Sequence, residues 1–204
     1  MRKVALAFMA FLLFVSGCDK EPKRMDDYFV EFATLLKEGS SIRFQLDNGQ
    51  LLTPESNDNI KGEDRQRVIL NYTPLGDNRV KINYMSPIYT GVIEEGYPER
   101  YANDPVKVQS VWVSGGYLNL IIEVEYHGKG PSLALLRERR ATDINLYLSH
   151  SRNDALPGYP KVIYASFLLN ALRSEHPKGS EQPVSFHLFI NTYTGMRVFQ
   201  LELK

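Results

Sequence analysis

Few side chains in this chain of 204 residues have the type and spacing to do chemistry, and the clearest is its single cysteine, Cys18. Arg2 and Lys3 form a basic head, Val4 to Val15 is an apolar run of 12 residues, and Val15-Ser16-Gly17-Cys18 closes it. Spanning a hydrocarbon core takes about 20 helical residues. A basic head, a short apolar middle and small residues before a cut site instead describe a secretory signal. Ending in cysteine, it reads as a lipobox: a thiolate takes a diacylglycerol in thioether linkage, and Ser16 and Gly17 leave the backbone open to processing. One acyl chain binds a membrane only marginally and two signals anchor it stably, so the three chains of such an anchor, palmitate among them, make release negligible. Cys18, once lipidated, leaves no thiol for a disulfide, a metal or catalysis.

The remaining candidates are weaker. His127, His150, His176 and His187 are scattered without metal-ligand spacing, and neither a second cysteine nor a close histidine pair supports zinc. Ser149-His150-Ser151 places a hydroxyl beside a base, but strand neighbours face opposite sides of a sheet, which argues against a hydrogen-bonded pair. No glycine elbow surrounds a serine. A glycan hydrolase would need two carboxylates about 5 to 10 Å apart across a cleft, and Glu94, Glu95, Glu99 and Asp104 are the one local acidic group to inspect. Arg137-Glu138-Arg139-Arg140 could hold a phosphate or an acidic glycan, yet a charged hairpin loop explains it without a ligand. Tyr97, Tyr101 and Tyr159 fall among Pro, Gly and Asn, where exposed tyrosines can stack on sugars or anchor a protein at little entropic cost. These three are the candidate ligand-binding residues; the alternative is packing over a domain junction. Trp112, inside Val111-Trp112-Val113, reads as core. No catalytic residue, metal site or cofactor is expected.

Composition bounds the elements that must position these groups. Removing residues 1–17 leaves 187 residues, enough for one large or two modest domains. Basic and acidic residues balance at 24 each, without the basic surplus of a nucleic-acid binder. Residues 19–27 (DKEPKRMDD) are charged, carry Pro22 and read as a flexible tether. From residue 28 onward the periodicity is mostly two, as in Ile42/Phe44/Leu46, Val80/Ile82/Tyr84, Phe186/Leu188/Ile190 and Val198 to Leu203. Asp47-Asn48-Gly49 signals a type I′ hairpin, and Gly76-Asp77-Asn78 and Ser114-Gly115-Gly116 are similar punctuation. Many short strands at this spacing indicate an all-β chain of sandwiches or barrels. The continuous run Leu118 to Val124 suits a strand buried on both faces or carrying a bulge. Tyr28 to Lys37 fits either an amphipathic helix (Phe29, Phe32, Ala33, Leu36) or a strand (Tyr28, Val30, Phe32, Thr34), and Phe167 to Arg173 is equally ambiguous. Glu94 to Pro105, polar with two prolines, is the expected boundary between two strand blocks.

Several motifs follow one another in a distinctive order: the lipobox ending at Cys18, Phe44-Gln45-Leu46-Asp47-Asn48-Gly49, and Arg67-Val68-Ile69-Leu70-Asn71-Tyr72. They continue with Asn103-Asp104-Pro105-Val106, Val111-Trp112-Val113, Gly115-Gly116-Tyr117-Leu118-Asn119, Leu146-Tyr147-Leu148-Ser149-His150 and Tyr164-Ala165-Ser166-Phe167. In this order they resemble the NigD-like family of lipoproteins from Bacteroidota. The resemblance implies an N-terminal OB-like barrel followed by a C-terminal β-sandwich, and tips residues 28–36 toward a strand. With the boundary above, residues 1–17 are signal, 18–27 lipidated cysteine and tether, 28–96 barrel and 97–204 sandwich. The expected function is a non-enzymatic binding module, lipid-anchored at the outer membrane on the periplasmic face or the cell surface. An envelope protein, a secreted toxin or a glycan are the candidate partners, and nucleic acid is not. The alternative is an immunity lipoprotein protecting a bacteriocin producer, after the gene that gives the family its name.

Overall fold

In the computed structural model, residues 27–58, 60–96, 102–126, 132–138, 143–152, 158–174 and 182–204 are described. Five strands, β1 (Phe29–Glu38), β2 (Ser41–Leu46), β3 (Leu51–Pro54), β4 (Arg67–Gly76) and β5 (Arg79–Pro87), close into a barrel of order β1-β2-β3-β5-β4. Its interior is filled by Ala33, Leu35, Phe44, Leu46, Leu52, Val68, Leu70, Tyr72 and Val80. Closure removes the open edges that a small sheet would otherwise expose.

Eight further strands form the second unit: β6 (Tyr89–Glu95), β7 (Lys107–Ser114), β8 (Tyr117–Tyr126), β9 (Ser132–Glu138), β10 (Asn145–Ser151), β11 (Tyr159–Leu168), β12 (Val184–Thr192) and β13 (Gly195–Leu203). Their order is β13-β12-β10-β9-β6-β11-β8-β7. The two halves of this sheet face each other over one core, with Leu146, Leu148, Leu188 and Ile190 meeting Leu118, Leu120, Ile122 and Phe167. The ambiguous stretch at residues 167–173 divides: β11 runs to Leu168, and a single helical turn, α1 (Asn170–Ser174), follows with Leu172 buried.

The domain boundary lies earlier than the Glu94–Pro105 stretch suggests. β6 pairs in parallel with β11 and with β9, so residues 89–96 belong to the sandwich, and the chain leaves the barrel at Ile88. The polar stretch after β6 leads into Asn103–Val106, which bridges the ends of two strands. Asn103 pairs with His150 and Val106 with Thr192 as isolated bridges, and the buried Val106 plugs that end of the core.

Residues 28–36 resist a periodicity reading because β1 is apolar on both faces. Ala33 and Leu35 point into the barrel, while Phe32 packs outward against Trp112 and Tyr164 of the sandwich. The same holds for β8: Leu118, Leu120 and Ile122 enter the sandwich core, and Asn119 on the opposite face is fully buried toward the barrel. Trp112 is therefore not a sandwich-core residue. It is half-buried between the units, its ring 5.0 Å from that of Phe32.

The hairpin at Asp47-Asn48-Gly49 also differs from expectation. Gly49 alone has a positive φ (+88°), and its N–H donates to the Leu46 carbonyl at 2.9 Å. Asp47 and Asn48 are thus the centre of a type I turn and Gly49 forms the bulge that follows. Positive φ at both central residues, as type I′ requires, occurs instead at Asp77-Asn78 (50° and 59°) and Gly115-Gly116 (59° and 81°).

Candidate functional site

Where barrel meets sandwich, two different surfaces lie side by side: a closed polar knot and an open apolar groove. The knot is built on Arg67, at the start of β4, only 1 % exposed. Its guanidinium grips Asp47 as a fork, Nη1 to Oδ1 at 2.6 Å and Nη2 to Oδ2 at 3.2 Å. It also donates to Thr34 Oγ1 at 3.2 Å and, across the junction, to Asn119 Oδ1 at 3.1 Å. Asp47 accepts from Ser114 Oγ at 2.7 Å and from Asn119 Nδ2 at 3.2 Å, while Ser166 Oγ donates to Asn119 Oδ1 at 2.6 Å. Tyr117 covers the guanidinium face, with the cation 4.3 Å from its ring centroid. A buried charge is tolerable when paired and hydrogen-bonded, and here both Nη atoms are satisfied while the buried Nε has no partner among the described residues. The type I turn matters here, because it aims the Asp47 carboxylate at Arg67 rather than at solvent. Gly115 is needed for the approach: a Cβ there would stand 2.9 Å from Asp47 Oδ1.

The groove runs past this knot. Its larger part encloses about 590 Å³ between Val30, Ile69, Asn71 and Tyr84 of the barrel and Tyr89, Leu133 and Lys161–Tyr164 of the sandwich. A second part of about 510 Å³ continues past Phe32 and Trp112, and the two share Val30, Ile69 and Tyr164. Clefts of this size at a domain junction, mostly apolar with a few polar groups, are where ligands bind. Tyr84 is 60 % exposed there. It reaches the groove through a β-bulge. Tyr72 pairs with Ile82 but Asn71 with Tyr84, leaving Asn83 as the extra residue of β5. Before the bulge Val80 and Ile82 face the barrel core; after it Met85 does, so Tyr84 and Ser86 turn outward. Asn83 secures the bulge by donating to Asn71 Oδ1 at 3.0 Å and Thr73 Oγ1 at 2.9 Å. On the opposite wall the Tyr89 hydroxyl donates to the Leu133 carbonyl. Burial, and then the nearby Glu94 charge, push the Tyr89 phenol above its ordinary value.

Of the expected site residues, Cys18, Tyr97 and Tyr101 lie outside the described residues. Tyr159 is exposed and packs at 5.5 Å against Tyr126, whose ring carries Lys161 Nζ at 3.9 Å, next to the mouth of the groove. The acidic group does not assemble among the described residues. Glu94 and Glu95 are exposed on β6, and Glu99 is not described. Asp104 is taken by Arg152, whose backbone N–H donates to Oδ2 at 2.8 Å and whose guanidinium lies 3.4 Å from Oδ1. Burial alone would raise the Asp104 carboxyl, but these Arg152 contacts outweigh it and hold it below the usual range. Ser149 and His150 face apart, as strand geometry requires: Ser149 Oγ donates to the Ala102 carbonyl, and His150 Nδ1 lies 3.2 Å from the Asp104 carbonyl. His150 is 1 % exposed, and burial depresses its imidazole below 6.5 despite the opposing pull of Asp104. Arg137 and Glu138 lie at the end of β9, where Glu138 accepts from the Tyr147 hydroxyl at 3.1 Å. Among the described residues, no group of three or more His, Cys, Asp or Glu could hold a metal.

Sequence reasoning missed Tyr84, Tyr89, Val162 and Tyr164 as groove residues. No local signal announces the bulge that exposes Tyr84.

The comparisons with known proteins bear on the whole arrangement. A model of the NigD-like N-terminal OB domain matches residues 32–89, and one of the NigD-like C-terminal beta sandwich domain matches residues 90–200. The two meet within two residues of Ile88. Among solved structures, a protein from Parabacteroides distasonis named as toxin-related superposes with a TM-score of 0.75 at 24 % identity, covering 87 % of this chain and 94 % of its own. A NigD-like immunity protein from Bacteroides caccae gives 0.64 at 21 % identity over 84 % and 91 %. One from Bacteroides fragilis named as a lipoprotein gives 0.65 at 13 % over 87 % and 98 %. At these identities the likeness is one of fold. None of the curated proteins matches the chain. Both family models, matched in order over most of the sequence and dividing it where the barrel gives way to the sandwich, make this chain a member of the NigD-like family.

Proposed function

We propose that this chain is a non-enzymatic binding module, held at the outer membrane by lipid on Cys18, whose ligand surface is the groove between barrel and sandwich. One observation carries the reading. Asp47, Arg67, Asn119 and Ser166 of the family-like motifs are spent on the knot, while the mostly apolar and aromatic residues beside it line a cleft left open. A lipid anchor followed by a short charged tether brings such a cleft to partners in the envelope. No described helix is long and apolar enough to cross a membrane.

Recovery of partners from cell envelope on the immobilised chain, beside its Tyr84→Ala/Tyr164→Ala variant, tests the reading. It expects a reproducible partner that the variant loses. A wild-type chain that recovers nothing, or a variant that recovers the same partner, overturns it. For the anchor, metabolic labelling with an alkynyl palmitate should mark the protein and fail on Cys18→Ser; label retained on the serine variant removes it.

The second reading is immunity: the groove would hold a secreted toxin and shield the producing cell. It is favoured by the solved relative named as an immunity protein. Deletion of the gene should then sensitise cells to toxin-producing siblings, and unchanged survival sinks it.

A further inference from the structure

The larger part of the groove is lined by four consecutive residues of β11, Lys161, Val162, Ile163 and Tyr164. Neighbours in a strand point to opposite faces, so a cavity that touches four in a row looks onto the strand's edge. The pairing explains this. β8 covers β11 over its whole length, Tyr159 to Leu168, whereas β6 pairs only with Ala165 to Leu168. Upstream of Ala165 the chain that would continue β6 leaves at Ile88 for the barrel, and β9, with Leu133 on the far wall, stands across the gap. Among the described residues, no strand pairs with residues 159–164 on the side away from β8.

We infer that this edge is a docking site for an extended peptide segment of a protein partner, which would add as a strand beside β11 in line with β6. The inference rests on reading the groove as a binding surface, and it names the occupant. Three features select it. An open edge offers main-chain donors and acceptors, which an extended peptide satisfies in series. Six residues at about 3.3 Å each leave room for a segment of five or six. Apolar walls on the barrel side, Val30, Ile69 and the bulge-presented Tyr84, receive alternate side chains of such a strand. Charge completes the description. Among the described residues, Lys161 is the one charged side chain lining this part of the groove, and its ammonium rests on the Tyr126 ring rather than on a carboxylate. The segment should therefore alternate apolar residues and carry an acidic one opposite Lys161.

A displayed library of random dodecapeptides, panned on the full chain, provides the probe, and an enriched peptide is then synthesised and its binding measured by fluorescence anisotropy. Enrichment of alternating apolar sequences with an Asp or Glu is expected. N-methylation of alternate amides along one edge of the peptide should weaken binding at least tenfold with every side chain unchanged. Lys161→Glu should cost about as much and be offset by exchanging the peptide's acid for lysine, and Tyr84→Ala should cost at least fivefold. Both protein variants alter exposed residues, and unchanged thermal midpoints show that they fold. Equal binding of the N-methylated peptide, or indifference to both variants, overturns the inference. So does light scattering that finds the free chain dimeric and Lys161→Glu monomeric, since the edge would then hold a second copy. An empty library alongside an envelope partner that Tyr84→Ala/Tyr164→Ala loses leaves the binding module standing and removes the peptide.

Discussion

Two arginine–aspartate pairs hold this molecule together, and they differ in depth. Arg67 and Asp47 lie between the units, with side chains 1 % and 14 % exposed, and every contact outside the fork is to a neutral group fixed by another strand. Arg152 and Asp104 sit at the end of the sandwich, about a third exposed, and pin the bridging segment Asn103–Val106 to β10 with help from Glu125. The first pair fixes one domain against the other. The second closes the end of one domain. A buried pair that loses one partner leaves an uncompensated charge, whereas a solvated pair is replaced by water, so the same chemistry carries very different weight.

The largest effect should come from Arg67→Ala. It leaves the Asp47 carboxylate in the junction with two hydroxyl or amide donors and no cation, at a cost of about 3–5 kcal/mol. Urea unfolding should show the loss, with the cooperative transition splitting as the barrel detaches. Arg67→Met combined with Asp47→Leu should recover most of it, because a packed apolar pair can match a buried ionic one. Failure of the double variant to recover would mean that Asn119, Ser114 and Ser166 depend on the charges themselves. Gly115→Ala attacks the same knot from the sandwich side. It places a Cβ 2.9 Å from Asp47 Oδ1 at a φ of +59°, and should cost about 1–3 kcal/mol in the same assay.

The outer pair should yield less. Asp104→Ala is expected to cost about 1 kcal/mol, read as a small drop in the urea midpoint without splitting of the transition. Its pH dependence sharpens the contrast. His150, buried and depressed below its unfolded value of 6.5, contributes stability that is complete above that pH and lost as pH falls through its folded value. Asp104, also depressed, contributes above its unfolded value of 3.8 and loses it lower still. The urea midpoint should accordingly fall between pH 7 and pH 5, and His150→Gln should flatten that stretch while leaving the drop below pH 4. A profile unchanged by the histidine variant would place the acid sensitivity elsewhere.

Which parts of this were legible follows from how many faces of a strand are buried. β12 and β13 alternate against one core, and β2 does so in its second half, so period two reveals them. β1, β4 and β8 carry a core on one face and the partner domain on the other, so Phe32 next to Ala33, and Asn119 between Leu118 and Leu120, blur the period. Arg67 shows the same limit. Its neighbours mark a strand, but a buried charge is recognised only once Asp47 and Asn119, 20 and 52 residues away, are brought to it. Trp112 was misplaced for the same reason: an aromatic among valines looks alike whether it faces its own core or another domain. The boundary at Ile88 was hidden because β6 leaves the barrel without a change of composition and finds its partners about 40 and 75 residues later.

The smallest expected effect on stability is the most direct test of the groove. Asn83 is exposed, and its two side-chain hydrogen bonds hold a bulge rather than a core. Asn83→Ala should therefore change the urea midpoint by about 0.5 kcal/mol or less, in the range of surface substitutions. Yet the bulge is what turns Tyr84 from the barrel interior into the groove. Loosening it lets β5 slip toward simple alternation, and a slip of one residue exchanges faces. Binding in the groove should then weaken as it does for Tyr84→Ala, although position 84 is untouched. Deleting Asn83 altogether would remove the bulge without exchanging faces, because Tyr84 would then follow Ile82 directly and still point outward. If Asn83→Ala binds as the wild type does, the bulge is held by strand pairing alone, and the distinction between a knot that fixes the domains and a groove kept adaptable beside it becomes less sharp.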